Sequence, residues 1–296
     1  MSMRVAAITV GYRSQPDLDE LLRSLAHSSL RPAVTIVSDN GSPAAELDAI
    51  EAAHPDVIVL RNPRNLGYGG AVNAAVSRID ERVDWILVVN PDVVLAHDAL
   101  ERLVARGDSS PQIGAVGPLV RNDDGTVYPS ARPLPSISTG IGHALFSAAL
   151  PSNPWTRKYR PDGAEATSAH DAGWLSGSCL LIRRSAFNAI EGFDDAYFMY
   201  FEDVDLGRRL GLAGYRNVFE PTAEVIHHGA HSTRYRAVDM MRVHHRSAYH
   251  YLSTVYDAWY YWPLRLALRA GLATRAALVA RALSREERRR NPPRDT

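Results

Sequence analysis

The sequence predicts an α/β fold: a mostly parallel sheet flanked by helices, followed by a helical C-terminal appendage. Over the first 117 residues, short apolar runs alternate with segments of helical periodicity, which is the order typical of parallel sheets. Turn-forming residues follow the predicted strands, and from Ala237 onward the pattern is helical to the end. These three observations define the fold class.

The individual elements follow from local patterns. Strands are predicted over residues 4–10, 33–37, 57–60, 85–89, 113–117, 174–182, 216–219 and 224–228. Helices are predicted over residues 16–27, 44–53, 67–79, 98–105 and 202–210, and again after 237. The first helix shows the expected spacing clearly, with leucines at 18, 21, 22 and 25 and a proline in its first turn.

The composition is that of an ordinary soluble globular protein, with 46% hydrophobic and 22% charged residues. Lys+Arg and Asp+Glu are each 33, so the net charge does not indicate nucleic-acid binding. Cys179 is the sole cysteine, which excludes an intrachain disulfide and favours a reducing, cytoplasmic compartment. No signal peptide is expected, and no uncharged apolar run reaches the ~18 residues that a membrane span needs.

One stretch combines a buried strand with a polar end. The apolar run Trp85–Val89 stops at Asn90-Pro91-Asp92. Proline has no amide hydrogen, so the strand ladder ends there and Asp92 sits at the turn. Ligands of open α/β sheets bind beyond the carboxyl ends of the strands. Asp92 is therefore a candidate ligand-binding carboxylate, with a simple strand-ending turn as the alternative.

Other acidic residues and a histidine pair also lie at strand ends or loops, namely Asp39, Glu202-Asp203 and His227-His228. In a parallel sheet the ends of the second and fourth strands share one rim, so Asp39 and Asp92 should converge. Carboxylates at such a rim suit Mg²⁺ or Mn²⁺ bridging substrate phosphates. The alternatives are an Asx turn for Asp39 and a helix N-terminal charge pair for Glu202 and Asp203.

The glycine-rich loop at residues 62–73 does not match the common nucleotide-binding fingerprints. A G-x-G-x-x-G motif starting at Gly67 would need glycine where Val72 stands, and the loop follows the third strand instead of the first. A P-loop motif is also absent from the sequence. Close approach of the loop backbone to a nucleotide stays open.

Residues 129–170 have few periodic segments and are rich in proline, with six prolines between Tyr128 and Pro161. An irregular excursion over the surface is predicted, either a lid or a passive loop.

Short motifs occupy the predicted strand ends and loops from residue 4 to about 235: Thr9–Tyr12, Ser38–Ser42, Asn65–Gly69, Asn90–Asp92, Trp174–Ser178, Gly192–Asp195, Phe201–Asp205 and His227–Ser232. Their order resembles that of inverting GT-A glycosyltransferases of the family 2 rhamnosyltransferase type. The resemblance implies a GT-A catalytic domain over 1–235, with a nucleotide-sugar half (about 1–117) and an acceptor half (about 118–235). Residues 236–296 would form a helical, arginine-rich, membrane-associating region.

The resemblance also implies roles for individual residues. Asp203 would be the general base. Asp92 and His227 would hold the metal, with His228 as the competing ligand. The nucleotide would contact Thr9, Tyr12, Asp39, Asn65, Gly67 and Asn90. Acceptor-binding or orienting roles fall to Trp174, Ser176, Gly177, Glu202, Asp205 and Arg132; a core position is the alternative for Trp174.

The implied reaction transfers L-rhamnose from dTDP-β-L-rhamnose to the 3-hydroxyl of N-acetylglucosamine on a polyprenyl-diphosphate carrier, in arabinogalactan linkage-unit synthesis for the cell wall. It would be an inverting single displacement that depends on Mn²⁺ or Mg²⁺. A different acceptor, a sugar-nucleotide nucleotidyltransferase and a non-catalytic sugar-nucleotide-binding module are the alternatives. The nucleotidyltransferase would need a basic, glycine-rich loop after the first strand, where Thr9–Gln15 supplies only Arg13.

The C-terminal region has a distinctive charge pattern. Residues 263–296 contain nine arginines and three acidic residues, a net charge of +6, and follow the aromatic sequence Trp259–Trp262. Aromatic residues beside basic ones suit an anionic membrane surface, and a helix packed on the catalytic domain is the alternative. A peripheral location on the inner face of the plasma membrane is expected, and a homodimer is left open.

Overall fold

The computed structural model describes residues 4–136, 168–229 and 237–275. The chain divides into two compact units, one formed by residues 1–198 and 202–232 and the other by residues 199–201 and 233–296. Most of the predicted surface excursion, residues 137–167, lies outside the described part, as do Ser232 and the arginines beyond residue 275.

The first unit is built on one large mixed sheet. Its strands are β1 (Val5–Gly11), β2 (Val34–Asp39), β3 (Val57–Arg61), β4 (Trp85–Val89), β5 (Val93–Leu95), β6 (Ile113–Asn122), β7 (Val127–Tyr128), β9 (His170–Ala172), β11 (Cys179–Arg183) and β12 (Arg216–His227). The main path runs β3-β2-β1-β4-β11-β6-β12-β5, with β7 beside β6 and β9 beside β12. A separate antiparallel pair joins β8 (Ala131–Arg132) to β10 (Trp174–Leu175).

Helices cover both faces of this sheet. They are α1 (Gln15–Ala26), α2 (Ala44–Ala53), α3 (Gly67–Val76), α4 (Ala99–Asp108), α5 (Arg184–Ala189) and α6 (Glu202–Leu212). One core cluster packs residues of α1, α2 and α4 against the sheet, including Leu21, Leu47 and Leu100. The other packs residues of α3, α5 and α6, including Val72 and Leu206. Burial on both faces explains why the central strands read as continuous apolar runs.

The predicted fold class is confirmed, and two of the predicted strand assignments differ from the structure. Residues 174–182 were expected to form one strand of the mostly parallel sheet, but the chain bends at residues 176–178 and divides into β10 and β11. Strand β11 is antiparallel to both β4 and β6. An apolar strand buried on both faces carries no pattern that distinguishes the two directions.

The second difference concerns β12. Residues 216–219 and 224–228 were expected to be two short strands, whereas β12 is one strand paired with β6, with a register shift between Glu220 and Glu224. The carboxylate of Glu220 accepts hydrogen bonds from the backbone N–H and the hydroxyl of Thr222, which stabilises this irregularity. Residues 220–223 interrupt the strand pattern in the sequence, so the two halves of β12 were predicted as separate strands.

The second unit is helical in its described part. Helix α7 (Ala237–Val255) is followed by a 3₁₀ turn at Trp259–Tyr261 and a helix over residues 262–275. The hydroxyl of Ser247 donates to the carbonyl of Met199 at 2.8 Å, and the ring of His244 lies edge-on to that of Phe201. None of the helices in the described ranges has the length and apolar character needed to cross a membrane.

Candidate active site

The candidate site lies at the carboxyl ends of β1, β2 and β4 and on the loops that follow them. Gly11 at the end of β1 pairs in register with Asp39 at the end of β2. Strand β4 lies on the other side of β1, and residues 90–92 continue from its end. Because β2 and β4 both run parallel to β1, Asp39 and Asp92 lie at the same rim of the sheet, as expected.

Asp92 and His227 form a pair that links the turn after β4 to the end of β12. Asp92 Oδ1 lies 3.1 Å from His227 Nε2, and both side chains are largely buried. His228 points elsewhere: its Nδ1 lies 2.5 Å from Asp123 Oδ1, and only its backbone N–H contacts Asp92, at the carbonyl oxygen. Of the two histidines, the structure brings His227 to the Asp92 carboxylate.

This pair offers one carboxylate oxygen and one imidazole nitrogen, a donor set that suits a divalent cation when substrate oxygens and water complete the coordination shell. Within the described ranges, no group of three or more His, Cys, Asp or Glu side chains is arranged to hold a metal ion. The residues thus fit a cation shared with a diphosphate better than a closed structural metal site.

Asp39 is turned into its own loop. Its Oδ2 accepts hydrogen bonds from the backbone N–H groups of Gly41 and Ser42, and its Oδ1 accepts from the Ser42 hydroxyl. The side chain is buried, with 2% of Asp39 exposed. The carboxylate therefore has the geometry of the Asx-turn alternative, and its contact to a nucleoside stays a prediction.

The glycine-rich loop is fixed to the loop after β2. Asn40 donates its side-chain N–H to the carbonyl of Gly67 and accepts a hydrogen bond from the backbone N–H of Leu66. Asn65 Oδ1 accepts from the Gly67 N–H at 2.9 Å. Gly67 has a φ of +77°, and a Cβ there would lie 2.3 Å from the carbonyl oxygen of Phe198. Only glycine fits this position.

Asp203 lies in the first turn of α6 and is held by two backbone donors. Its Oδ2 accepts a hydrogen bond from the Gly177 N–H at 2.9 Å, and its Oδ1 accepts from the Val204 N–H at 2.8 Å. Each carboxylate oxygen keeps a further lone pair. The half-buried side chain is thus fixed in orientation and still able to accept a proton.

Glu202 and Asp203 form an electrostatically coupled pair. Burial, together with the neighbouring charge of Asp203, raises the pKa of Glu202 to about 8. Burial also raises the pKa of Asp203, and the hydrogen bonds from Gly177 and Val204 oppose that rise. Glu202 Oε2 is buried without a hydrogen-bond partner among the described residues. Because its pKa is raised to about 8, Glu202 is the member of the pair that this site keeps protonated at neutral pH.

Arg132 and Trp174 face each other across the β8–β10 pair. The guanidinium carbon of Arg132 lies 5.6 Å from the centre of the Trp174 ring and 5.4 Å from that of Tyr128. Burial raises the pKa of Asp203, and the charge of Arg132 is one of the interactions that oppose this rise. The structure therefore brings Arg132 into the electrostatic environment of the candidate base, with its guanidinium within cation–π distance of two aromatic rings.

Ser176 and Asp205, both expected to orient the acceptor or its loop, lie inside the protein. The hydroxyls of Ser176 and Ser178 are 3.1 Å apart. Asp205 pairs with Arg209 at 2.6 Å. Arg209 in turn donates to the carbonyls at positions 190 and 192, so Asp205 contacts the loop before α6 through an arginine.

The remaining predicted nucleotide contacts differ in accessibility. The Thr9 side chain is buried, and its hydroxyl has no hydrogen-bond partner in the described part of the chain. Tyr12 is exposed, with the guanidinium of Arg13 over its ring. Asn90 is half-buried, and its backbone N–H donates to the carbonyl of Ser178 at 2.8 Å. Thr9 is thus the least accessible of the three to a ligand.

Sequence reasoning missed two residues that organise the site. Asn40 connects the two loops on the nucleotide side, and Tyr68 donates its hydroxyl to the carbonyl of Gly177 at 2.7 Å. The signal for Asn40 was its place between Asp39 and Gly41 in a turn-forming segment. Tyr68 was visible only as the residue between two glycines, and nothing local indicates a partner 109 positions away.

The fold and these motifs define a glycosyltransferase. The chain matches the family described as glycosyltransferase like family 2 over residues 3–256 and belongs to that family. This membership confirms the predicted enzyme class over the nucleotidyltransferase and the non-catalytic module.

Similarity to individual proteins is more specific. The chain is 43% identical to the N-acetylglucosaminyl-diphospho-decaprenol L-rhamnosyltransferase of Mycobacterium tuberculosis, over 96% of this chain and 95% of the relative. It is 31% identical to the rhamnosyltransferase WbbL of Escherichia coli K12, over 63% of this chain and 70% of the relative. The predicted resemblance to rhamnosyltransferases of family 2 is confirmed.

Two solved structures share the fold at low sequence identity. The mannosyltransferase PcManGT from Pyrobaculum calidifontis, in complex with GDP-Man and Mn²⁺, has a TM-score of 0.60 at 16% identity, with 96% of this chain and 76% of that chain covered. GalNAc-T7 with UDP, GalNAc and Mn²⁺ has a TM-score of 0.56 at 16% identity, with 77% and 44% covered.

The raised pKa of Glu202 predicts a specific pH dependence of stability. In the unfolded chain Glu202 loses its proton above its ordinary pKa of 4.5, whereas in the folded protein it keeps the proton up to about pH 8. The contribution of this proton to the free energy of unfolding is therefore fully present below pH 4.5 and is lost as the pH rises through about 8. Glu202→Gln keeps the neutral form at every pH. We expect the Tm of wild type minus that of Glu202→Gln to decrease between pH 4.5 and 8, measured by thermal unfolding.

Glu81→Gln, at an exposed position, is the matched control and should show no such trend. A Tm difference between wild type and Glu202→Gln that stays constant over this pH range would contradict the assignment of the proton to Glu202.

Proposed function

We propose that this protein transfers L-rhamnose from dTDP-β-L-rhamnose to the 3-hydroxyl of N-acetylglucosamine on a polyprenyl-diphosphate carrier, with inversion at the anomeric carbon. The choice of donor and acceptor is supported by the 43% identity to the mycobacterial rhamnosyltransferase over nearly the full length of both chains. One observation carries the chemistry: the Asp203 carboxylate is held by two backbone N–H groups and keeps free lone pairs.

In the proposed reaction Asp203 acts as general base. Its carboxylate accepts the proton of the acceptor 3-hydroxyl while that oxygen attacks the anomeric carbon of rhamnose. The bond from this carbon to the phosphate oxygen breaks on the opposite face, and its electron pair leaves with dTDP. A β-linked donor therefore gives an α-linked product, and Asp203 ends the step protonated. The two backbone hydrogen bonds keep the carboxylate oriented before the acceptor arrives.

The proposed metal site is Asp92 with His227. A divalent cation bound there would neutralise charge on the diphosphate of the leaving group. Support comes from the donor set of the pair and from the two solved structures of this fold that contain Mn²⁺ with a nucleotide or nucleotide sugar. Both Mn²⁺ and Mg²⁺ suit a site of this kind.

The proposed location is cytoplasmic, on the inner face of the plasma membrane, where a polyprenyl-linked acceptor resides. Exposed aromatic and aliphatic side chains lie around the 3₁₀ turn and the start of the following helix: Trp259 (79% exposed), Tyr260 (59%), Trp262 (58%) and Leu266 (59%). Arg269 and Arg275 are exposed on the same helix. Amphipathic aromatic rings beside cationic side chains suit the headgroup region of an anionic bilayer.

The base assignment and the reaction are tested together. Asp203→Asn removes the proton acceptor. Its single amide oxygen can replace only one of the two carboxylate oxygens that accept backbone hydrogen bonds. We expect turnover to fall at least about a hundredfold, while dTDP-rhamnose affinity by calorimetry is retained. The assay follows transfer from dTDP-rhamnose to a panel of prenyl-diphosphate sugars.

Near-normal turnover in Asp203→Asn would eliminate this residue as the base. Wild-type activity with a different acceptor, and none with prenyl-diphosphate N-acetylglucosamine, would instead reject the proposed acceptor and leave the base assignment in place.

The metal proposal predicts different effects at neighbouring histidines. His227→Ala and Asp92→Ala should each abolish the increase in dTDP affinity that Mn²⁺ produces in wild type, because each removes one proposed ligand. His228→Ala is the matched control, since its imidazole faces Asp123. Isothermal calorimetry with and without Mn²⁺ measures the effect; an unchanged Mn²⁺ dependence in the first two variants would refute the site.

The membrane proposal predicts charge-dependent binding. Replacing Arg269 and Arg275 with glutamine should remove about 1 kcal/mol of membrane-binding free energy for each arginine. The two losses together correspond to about thirtyfold weaker binding. Co-sedimentation with phosphatidylglycerol-containing liposomes measures this. The control exchanges the exposed Arg31 and Arg78 for glutamine, and equal binding of both pairs would support the packed-helix alternative.

A further inference from the structure

Tyr68 is a polar side chain of the site to which the reaction above assigns no role. It lies in the first turn of α3, where its backbone N–H donates to the carbonyl of Phe198 at 2.9 Å. Its ring stands edge-on to that of Phe193, with the ring centres 6.4 Å apart. The side chain is therefore anchored at its backbone and along its ring before its hydroxyl makes any contact.

The hydroxyl of Tyr68 ends at the residue that holds the base. It donates to the Gly177 carbonyl at 2.7 Å, and the N–H of the same Gly177 donates to Asp203 Oδ2 at 2.9 Å. A Cβ built on Gly177 would lie 3.6 Å from both the Tyr68 ring and Asp203 Oδ2. Gly177 is thus packed between the tyrosine and the carboxylate.

The phenol is suited to donate and not to titrate. Burial raises its pKa well above 10, and the negative charges that Glu202 and Asp203 carry at such a high pH raise it further. Tyr68 therefore stays neutral at physiological pH, and its single proton is already directed to the Gly177 carbonyl. A direct acid or base role would require breaking that hydrogen bond.

We infer that Tyr68 is a positioning residue for the general base: its hydroxyl fixes Gly177, and the Gly177 N–H fixes the Asp203 carboxylate for the acceptor hydroxyl. Because Tyr68 belongs to the glycine-rich loop, the same contact links that loop to the base. The inference rests on the proposed function only in taking Asp203 as the base.

Tyr68→Phe removes the hydroxyl and keeps the ring that packs on Phe193. Without its donor, Gly177 becomes less restrained and holds Asp203 less well. We expect kcat to fall about tenfold to a hundredfold, the loss typical of a misplaced catalytic group, while KM for the donor stays within about twofold. The Gly177 N–H lowers the pKa of Asp203, so weakening it should move the acidic limb of the kcat–pH profile to higher pH.

Tyr215→Phe is the matched control: this half-buried tyrosine packs beside Gly114, at the opposite end of β12 from His227. It should leave kcat and the pH profile unchanged. A Tyr68→Phe enzyme with wild-type kcat and an unshifted acidic limb would overturn the inference, and so would a loss confined to KM.

A second measurement does not depend on the substrate. Amide hydrogen exchange at Gly177 should be faster in Tyr68→Phe than in wild type, while the amides of β1 exchange at unchanged rates; equal exchange at Gly177 would contradict the proposed restraint. If wild type turns over a nucleotide sugar other than dTDP-rhamnose, the proposed function fails, and the Tyr68 comparison is then made with that donor.

Discussion

The bend at residues 176–178 connects the parts of the candidate site. Its backbone groups are bound by four different segments: the Ser176 N–H by the carbonyl of Ser130, the Gly177 N–H by Asp203, the Gly177 carbonyl by Tyr68, and the Ser178 carbonyl by the N–H of Asn90. Buried backbone polar groups must find partners. Satisfying them here fixes the base, the glycine-rich loop and the turn before Asp92 relative to one another.

This arrangement has an electrostatic cost that the rest of the fold must offset. Glu202 is 8% exposed and adjoins Asp203, so two carboxyl groups share one low-dielectric environment. Keeping one of them protonated avoids placing two negative charges together. Glu202 Oε2, which is buried and has no hydrogen-bond partner among the residues that the structure describes, does not stabilise the fold. Such local destabilisation is common where a group must be available for proton transfer.

The sequence allowed the sheet, its helices and the rim that carries Asp39 and Asp92 to be predicted, because alternating β and α segments leave few topologies for the first 117 residues. The direction of β11 could not be predicted, since a strand buried on both faces reads the same either way. The choice between His227 and His228 required the β5–β12 register, which places His227 opposite Val93. Tyr68 required a contact between distant parts of the chain, and such contacts leave no local pattern.

For Asp39 the sequence predicted the position in the fold but not the orientation of the side chain. Its position at the end of β2 was predicted, but position alone did not determine where the carboxylate points. The side chain accepts three hydrogen bonds from Gly41 and Ser42, as aspartate at a turn commonly does. Motif order therefore identified the correct region of the molecule, whereas the orientation of each side chain depended on short-range competition for hydrogen bonds.

The strand order also constrains how the protein is synthesised. Strands β4 and β6 are not neighbours; β11, which follows them by more than 50 residues, lies between them. While the ribosome is still translating the segment before Cys179, β4 has a neighbour only on its β1 side, and its other backbone edge is open. Open edges of apolar strands pair readily with other chains. The β4 edge of the sheet is therefore covered only once residues 179–183 pair with it.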